Sequence, residues 1–378
     1  MIEFRHVSKD FHGKVVLSDI SMEIPTGELT VLIGPSGCGK TTTLKMINRL
    51  LSPSSGEIWI DGKNIETLDK VQLRRRIGYV IQQGGLFPHM TIRENIEIIA
   101  RLAKGDPQAI SCKTDQLMEM VDLDPAEYLD RYPTELSGGQ QQRIGVIRAL
   151  ANDPEVVLFD EPFSALDPVT RSSLQDELVS MHEKMGKTMV FVTHDMDEAI
   201  KIADRICIMR NGHILQFDTP EQILKHPADD FIASFVGTER IWDSPEFIRV
   251  SDFMIKETIT CHGDLNRNLC IKRMRDHHID SLLVVDEQHH LRGVVTRRAL
   301  FRAESPLARA EEIMEPVRYT ARDDDNIVNI LRMIQEAEVN AVPVLDASEK
   351  LVGLLTNSSL VATLSRQFLT EEKGVADG

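Results

Sequence analysis

Gly34-Pro35-Ser36-Gly37-Cys38-Gly39-Lys40-Thr41 is a complete G-x-x-x-x-G-K-[ST] pattern, and its flanks decide how it reads. Before it, Glu28-Leu29-Thr30-Val31-Leu32-Ile33 is an apolar, β-branched run of the kind that forms a buried strand. After it, Thr42-Thr43-Leu44-Lys45-Met46-Ile47 reads as a helix. Strand, glycine loop and helix in this order predict a phosphate-binding loop in an α/β fold. The glycines let successive N–H groups converge on phosphate oxygens. Gly34, Pro35, Ser36, Gly37, Cys38, Gly39, Lys40, Thr41 and Thr42 are the expected nucleotide contacts. Lys40 would reach the β- and γ-phosphates and Thr41 would hold Mg²⁺.

Two other stretches complete the chemistry. Val156-Val157-Leu158-Phe159-Asp160-Glu161 is an apolar strand that ends in two carboxylates. Asp160 suits a Mg²⁺ partner, and Glu161 is placed to polarise an attacking water. The plainer alternative is a pair of acids capping a helix that starts at Pro162. Leu136-Ser137-Gly138-Gly139-Gln140, continued by Gln141-Gln142-Arg143, offers a hydroxyl and glycine N–H groups at the start of a helix. Such a helix end is an anion site, here a second one far from the first in sequence.

In this order the residues resemble the ATP-binding cassette (ABC) ATPases, over roughly residues 1–237. The resemblance implies a P-loop NTPase cassette with a helical subdomain at about 90–150. It places Phe11 as an aromatic stacking on adenine. Gln82 falls at the loop that contacts Mg²⁺ and the membrane partner, with Gln83 as the neighbouring alternative. Asp167, in Ser164-Ala165-Leu166-Asp167, matches the D-loop, and His194 matches the switch histidine that contacts the γ-phosphate. The implied catalytic set is Glu161, His194, Gln82 and Lys40, with Thr41, Gln82 and Asp160 holding Mg²⁺. The family works as a head-to-tail dimer in which Ser137, Gly138, Gly139 and Gln140 of one chain meet the ATP of the other. The helical insert and the Gln82 loop would form the groove that receives integral membrane permease subunits.

Composition narrows the setting. The 378 residues allow two or three domains, and 42% hydrophobic with 27% charged is an ordinary soluble balance. No apolar run approaches the roughly 18 residues of a spanning helix. The start, Met1-Ile2-Glu3-Phe4-Arg5-His6, lacks a signal-peptide pattern. A peripheral protein on the cytoplasmic face of the membrane is therefore expected, meeting an extracytoplasmic solute-binding protein only indirectly. A net charge of −16 argues against a nucleic-acid partner, and Arg74-Arg75-Arg76 reads as a solvated helix face. The five cysteines form no C-x-x-C pair, so neither zinc nor disulfides are expected. Cys38 sits near a helix N-terminus, where a thiolate can be favoured.

Beyond the cassette lies an internal repeat offset by about 60 residues. Ser281-Leu282-Leu283-Val284-Val285-Asp286 aligns with Ala341-Val342-Pro343-Val344-Leu345-Asp346, and Met254 with Met314. One unit is too small to bury much core, so the two should pack as a pair. The repeat resembles tandem cystathionine-β-synthase-like (CBS) domains, an α+β Bateman module. The expected boundaries are a linker at 238–250, domains at 251–309 and 310–368, and a flexible tail at 369–378. In that family a Gly-h-h-Thr-x-x-Ser/Asp stretch contacts an adenine nucleotide, which makes Thr296, Thr356 and Ser359 the candidates. Ala299 departs from the pattern in the first repeat. A nucleotide sensor and a dimerisation scaffold both remain open.

Cassette plus CBS pair is similar to the ATPase subunits of bacterial osmoprotectant importers, for glycine betaine, carnitine or choline. The resemblance implies ATP and Mg²⁺ as ligands, a homodimer through both modules, and cyclic di-AMP or another adenine nucleotide as a CBS ligand. An importer of another solute such as an amino acid, and a soluble non-transport ABC ATPase, are the rival readings.

Overall fold

In the computed structural model, the residues described are 1–82, 85–237, 240, 244–303, 305, 307–337, 339–356 and 358–360. Gln83, the start of the expected linker and the expected tail lie outside them. The chain divides at about residue 238 into two compact units.

The N-terminal unit holds two sheets. β1 (Ile2–Phe11), β2 (Lys14–Ile24), β4 (Ser55–Ile60) and β5 (Lys63–Asn64) form an antiparallel sheet in the order β2-β1-β4-β5. The second sheet has the order β10-β9-β3-β8-β7-β6. It comprises β3 (Leu29–Ile33), β6 (Ile77–Val80), β7 (Val156–Asp160), β8 (Thr188–Val192), β9 (Arg205–Arg210) and β10 (His213–Asp218). All neighbours are parallel except β10, which returns antiparallel to β9. That return is made at Asn211-Gly212, both at positive φ (50° and 81°), as an Asn-Gly hairpin requires.

Every residue of β3 and β8 is buried, which explains their unbroken apolar runs: a parallel sheet is covered on both faces. Phe191 in β8 packs between Phe159 and Phe163, with ring centroids 5.7 and 5.6 Å away. The helical part contains Ile92–Leu102, Pro107–Met120, Pro125–Tyr128 and Gly138–Leu150. Each starts on a side-chain cap, from Thr91, Asp106, Asp124 and Ser137 in turn.

The C-terminal unit contains two matching three-stranded sheets. β11 (Thr260–Cys261), β12 (Ser281–Val285) and β13 (Leu291–Thr296) form one; β14 (Ala321–Arg322), β15 (Ala341–Leu345) and β16 (Leu351–Thr356) form the other. Registers correspond: Val284 faces Gly293 as Val344 faces Gly353. The aligned acids do the same work. Asp286 accepts from the Gln288 and His290 amides, and Asp346 from those of Ser348 and Lys350.

The cores cross the boundaries drawn from sequence. Ile248 and Val250, expected in the linker, are buried with Phe253 among Ala321, Ile327, Val342 and Leu355 of the second repeat. Ala310 and Ile313, expected to open the second domain, are buried in the first repeat's core with Cys270 and Leu282. Met254 and Met314 are exchanged in the same way. A Cβ on Gly353 would lie 2.5 Å from Met254 Sδ, and one on Gly293 would lie 2.9 Å from Met314 Sδ.

Phe191→Ala should destabilise the N-terminal unit by about 3–5 kcal/mol, the cost of emptying a large aromatic site. Chemical denaturation followed by a probe in each unit checks this. The transition of residues 239–378 should stay in place, and a midpoint unchanged in the N-terminal unit would contradict the packing described.

Candidate functional site

The parallel sheet brings distant loops to one edge. The glycine loop leaves β3, Asp160 and Glu161 end β7, Thr193 and His194 follow β8, and Gln82 follows β6. Backbone bonds lock these exits together: Glu161 N donates to Val192 O (3.0 Å) and Thr193 N to Leu32 O (3.3 Å). Ligands bind at this edge of open α/β sheets because the strand ends and helix starts converge there.

In the glycine loop two positions cannot carry a side chain. Gly39, at φ 111°, would place a Cβ against the Leu17 side chain and 3.2 Å from Val16 O; Gly34, at φ 150°, would run a Cβ into the carbonyl of Met209. Lys40 is buried and folded onto its own loop, donating to Gly34 O (2.7 Å) and Pro35 O (3.3 Å). Thr43, one turn into the helix, donates to Gly39 O (3.0 Å) and fixes the loop's exit.

Thr41 Oγ1 donates to Asp160 Oδ1 at 2.8 Å, and the Tyr79 hydroxyl donates to Asp160 Oδ2 at 3.1 Å. Among the described residues no group of three or more His, Cys, Asp or Glu could hold a metal. One hydroxyl and one carboxylate fit Mg²⁺, which keeps water and substrate phosphates in most of its coordination sphere. Gln82 is joined to the acids through an intermediary. Its Nε2 lies 3.4 Å from Ser164 Oγ, which in turn donates to Glu161 O at 3.1 Å.

Glu161 adopts φ 48°, an uncommon conformation for a non-glycine residue and one found at functional positions. Its Oε2 is 3.4 Å from His194 Nδ1, while the imidazole is 63% exposed. The pair is thus together but open to solvent. Behind it lies a buried set with no sequence motif: the Thr193 hydroxyl donates to Glu198, and Gln175 Nε2 donates to Glu198 Oε1 at 3.2 Å. Burial pushes the Glu198 carboxyl up from its ordinary value. Asp195 caps the helix Met196–Ile202, so His194 sits between two anchored neighbours.

The second anion site is built as a helix start. Ser137 caps Gly138–Leu150, its Oγ accepting from Gln140 N (3.3 Å), while Gln140 Oε1 accepts from Ser137 N (2.9 Å). Gln140 Nε2 continues to the Tyr128 hydroxyl (3.3 Å). The Gln140 side chain is therefore spent on the cap, and Ser137 and Gly138 are the exposed members. Asp167 is likewise a cap, accepting from Thr170 N at 3.1 Å, and its hydrogen bonds from Thr170 hold the carboxyl below the usual range. A Cβ at Gly139 would lie 2.7 Å from Thr170 Cγ2, so the two helix starts press together.

Phe11 ends β1 as an exposed residue, with Lys9 Nζ 4.9 Å over one face of its ring. Asn95, which carried no expectation, is fully buried and fastens residues 87–91: it accepts from Phe87 N and donates to Phe87 O, Met90 O and Thr91 O. Phe87 and Ile81 remain exposed beside it. The structure does not favour a thiolate at Cys38. The side chain is buried at 4% exposure, and that burial raises the thiol above its ordinary value. Cys207 behaves alike, pushed up to about 12 by burial.

In the C-terminal unit Thr296 Oγ1 accepts from Ala299 N (3.1 Å), so the threonine caps its helix even with alanine at the motif's last position. Thr356 and Ser359 bind one another, Ser359 N donating to Thr356 Oγ1 and Ser359 Oγ to Thr356 O. A cleft of about 610 Å³ between the repeats is lined by Ser281, Thr296, Arg318, Tyr319 and Asn340, among others; Thr356 and Ser359 do not line it.

A model of the ABC transporter family matches residues 17–164, and one of the CBS domain matches 250–306 and 310–366. The choline transport ATP-binding protein OpuBA of Bacillus subtilis (strain 168) is 46% identical over 100% of this chain and 99% of its own. The osmoprotectant import ATP-binding protein OsmV of Salmonella typhimurium (strain LT2) is 42% identical, covering 97% and 96%. Among solved structures, the dimeric post-hydrolysis state of the ATP-binding cassette MJ0796, bound to ADP and Pi, is 33% identical with a TM-score of 0.53. It covers 58% of this chain and 99% of its own.

Thiol burial has a direct test. With iodoacetamide at pH 7, exposed Cys112 should be alkylated first in the native protein, and Cys38 and Cys207 only after denaturation. Peptide mass mapping reads the order. Native labelling of Cys38 as fast as Cys112 would overturn the buried, protonated thiol.

Proposed function

Since this chain belongs to the ABC transporter ATP-binding subunits that carry tandem CBS domains, we propose that it hydrolyses ATP to drive import of a compatible solute. The solute class is choline, glycine betaine or carnitine, taken through a separate membrane permease. Full-length relatives named for those solutes support the class, including a glycine betaine/carnitine/choline transport ATP-binding protein at 47% identity. The observation that carries the hydrolytic reading is Glu161 beside His194 at the strand edge that also holds Thr41 and Asp160.

ATP enters with its phosphates on the amides of residues 34–42, and Lys40 exchanges the Gly34 and Pro35 carbonyls for phosphate oxygens. Phe11 offers its exposed face to the base. Thr41, Asp160 and Gln82 would hold Mg²⁺, which offsets phosphate charge when bound. Glu161 takes a proton from water as the water oxygen bonds to the γ-phosphorus. The bond to the β–γ bridging oxygen breaks, and ADP leaves with that electron pair. His194 holds the γ-phosphate side of the site. Ser137 and Gly138 point to solvent, so they suit the ATP of a second copy packed head to tail. The dimeric cassette among the similar solved structures supports this arrangement.

No helix among the described residues is long and apolar enough to cross a membrane. Attachment to the cytoplasmic face would come through docking of permease subunits near exposed Ile81 and Phe87. The cleft at Thr296, Arg318 and Tyr319 suits an adenine nucleotide, cyclic di-AMP included. It offers an aromatic ring, a guanidinium and hydroxyls.

Glu161→Gln should lower turnover by at least about a hundredfold, the scale of a lost general base, while ATP still binds and drives dimerisation seen by light scattering. Full turnover would sink the assignment. Co-purified subunits separate the solute classes: a partner binding protein that holds an amino acid, or ATPase activity stimulated by nucleic acid, would favour the rival readings.

Titration of the full chain with cyclic di-AMP should give saturable heat that Arg318→Ala removes. No heat with cyclic di-AMP or AMP would leave the CBS pair as a dimerisation scaffold.

A further inference from the structure

Asp160 ends β7 with its two carboxylate oxygens engaged separately. Oδ1 accepts from Thr41 Oγ1 at 2.8 Å and Oδ2 from the Tyr79 hydroxyl at 3.1 Å. The two donors have different futures. Thr41 belongs to the loop that holds the metal and nucleotide, so its hydroxyl oxygen would be shared between the cation and Asp160. Tyr79 belongs to β6, paired in register with Leu158 of β7, and is tied to the sheet rather than to the ligand. Its ring packs against the hydrophobic core of the unit.

We infer that Tyr79 is a positioning residue for the metal carboxylate: its hydroxyl fixes the orientation of Asp160 when Thr41 is shared with Mg²⁺. The inference rests on the reading of Thr41 and Asp160 as the residues that hold the metal. A phenol on a metal-holding carboxylate acts from outside the coordination sphere. It restricts the carboxylate to one rotamer and lowers the reorganisation needed when the cation arrives. Partners of this kind typically carry about 10- to 100-fold in metal affinity. Tyr79 also lies three residues before Gln82, whose side chain reaches Ser164 and through it Glu161. One strand end therefore touches the metal carboxylate and the segment carrying the catalytic acid.

The test is Tyr79→Phe, which keeps the packed ring and removes only the hydroxyl. Mn²⁺ binding to the full chain with ADP present, followed by electron paramagnetic resonance, should weaken about tenfold. Binding of a fluorescent ATP analogue in EDTA should stay within about twofold, since no metal is involved. The Mg²⁺ concentration for half-maximal ATPase activity should rise by the same factor as the Mn²⁺ dissociation constant, with turnover recovering at high Mg²⁺. A purely structural role would instead lower the melting temperature and turnover at every Mg²⁺ concentration, with Mn²⁺ affinity unchanged; that result overturns the inference. Asp160→Asn separates the two levels. If it abolishes Mn²⁺ binding while Tyr79→Phe leaves it unchanged, Tyr79 has no positioning role and the metal site stands. If neither variant alters Mn²⁺ binding, the underlying reading of Asp160 fails as well.

Discussion

The parallel pairing of β9-β3-β8-β7-β6 is the constraint on which the cassette depends. Parallel strands all end on the same edge, and their interstrand bonds leave little freedom in how far each extends. Asp160 faces Val192 across β7 and β8, and Leu32 faces Val192 across β3 and β8. Residues 34, 160 and 193 are far apart in sequence but must emerge side by side. The register itself is held by side chains buried on both faces, so the geometry of the polar edge is set by the apolar interior. A slip of β7 would carry Phe159 and Asp160 together, so the packing that holds the ring also holds the carboxylate.

That edge is occupied by its own hydrogen bonds. A buried ammonium or carboxylate without partners is expensive, so each charged group has a temporary one. Lys40 rests on two carbonyls, Asp160 on two hydroxyls, and Glu161 beside His194. Phosphate and Mg²⁺ then act by exchange: they replace contacts rather than create charge pairs from solvated groups. The most exposed member, His194, is held only by its 3.4 Å contact with Glu161. The helix start at Ser137 is arranged differently. Its serine and Gln140 close a reciprocal cap, while Gly138 faces solvent. An exposed helix start of this kind is where an anion can bind.

How much of this was readable in the sequence depends on the range of each interaction. The loop at 34–41, the acids at 160–161 and the cap at 137–140 are local patterns whose chemistry lies within a few residues, and the sheet brings the first two to one edge. Tyr79 carried no expectation, because its partner lies 81 positions away and a tyrosine in a strand has no motif. Glu198 and Asn95 were invisible for the same reason: each is a buried polar residue whose role exists only once helices pack. At Cys38 the helix-start chemistry can be seen in sequence, whereas the burial that outweighs it cannot. Gln140 was placed on a neighbour's ATP by resemblance, but its side chain closes its own helix.

The repeat shows a different limit. Sequence similarity aligns Met254 with Met314 and draws each at the start of its own domain, yet each packs under the glycine of the other repeat. Alignment reports likeness of position, and exchanged partners preserve that likeness perfectly. The physical reason for exchange is size. A three-stranded sheet with two helices leaves one face without cover, and the segment before the other repeat is the nearest apolar material. Ile255 completes the exchange by pairing with Leu354, as Glu315 does with Val294. Each repeat's core is thus completed by a segment that precedes the other. The cleft at Thr296 is bordered by β12 and β13 on one side and by Ala337, Val339, Asn340, Ala341 and Pro343 on the other, with Glu315 to Tyr319 crossing between. A ligand there bears on the very segment that ties one core to the other, so it cannot act on a single repeat.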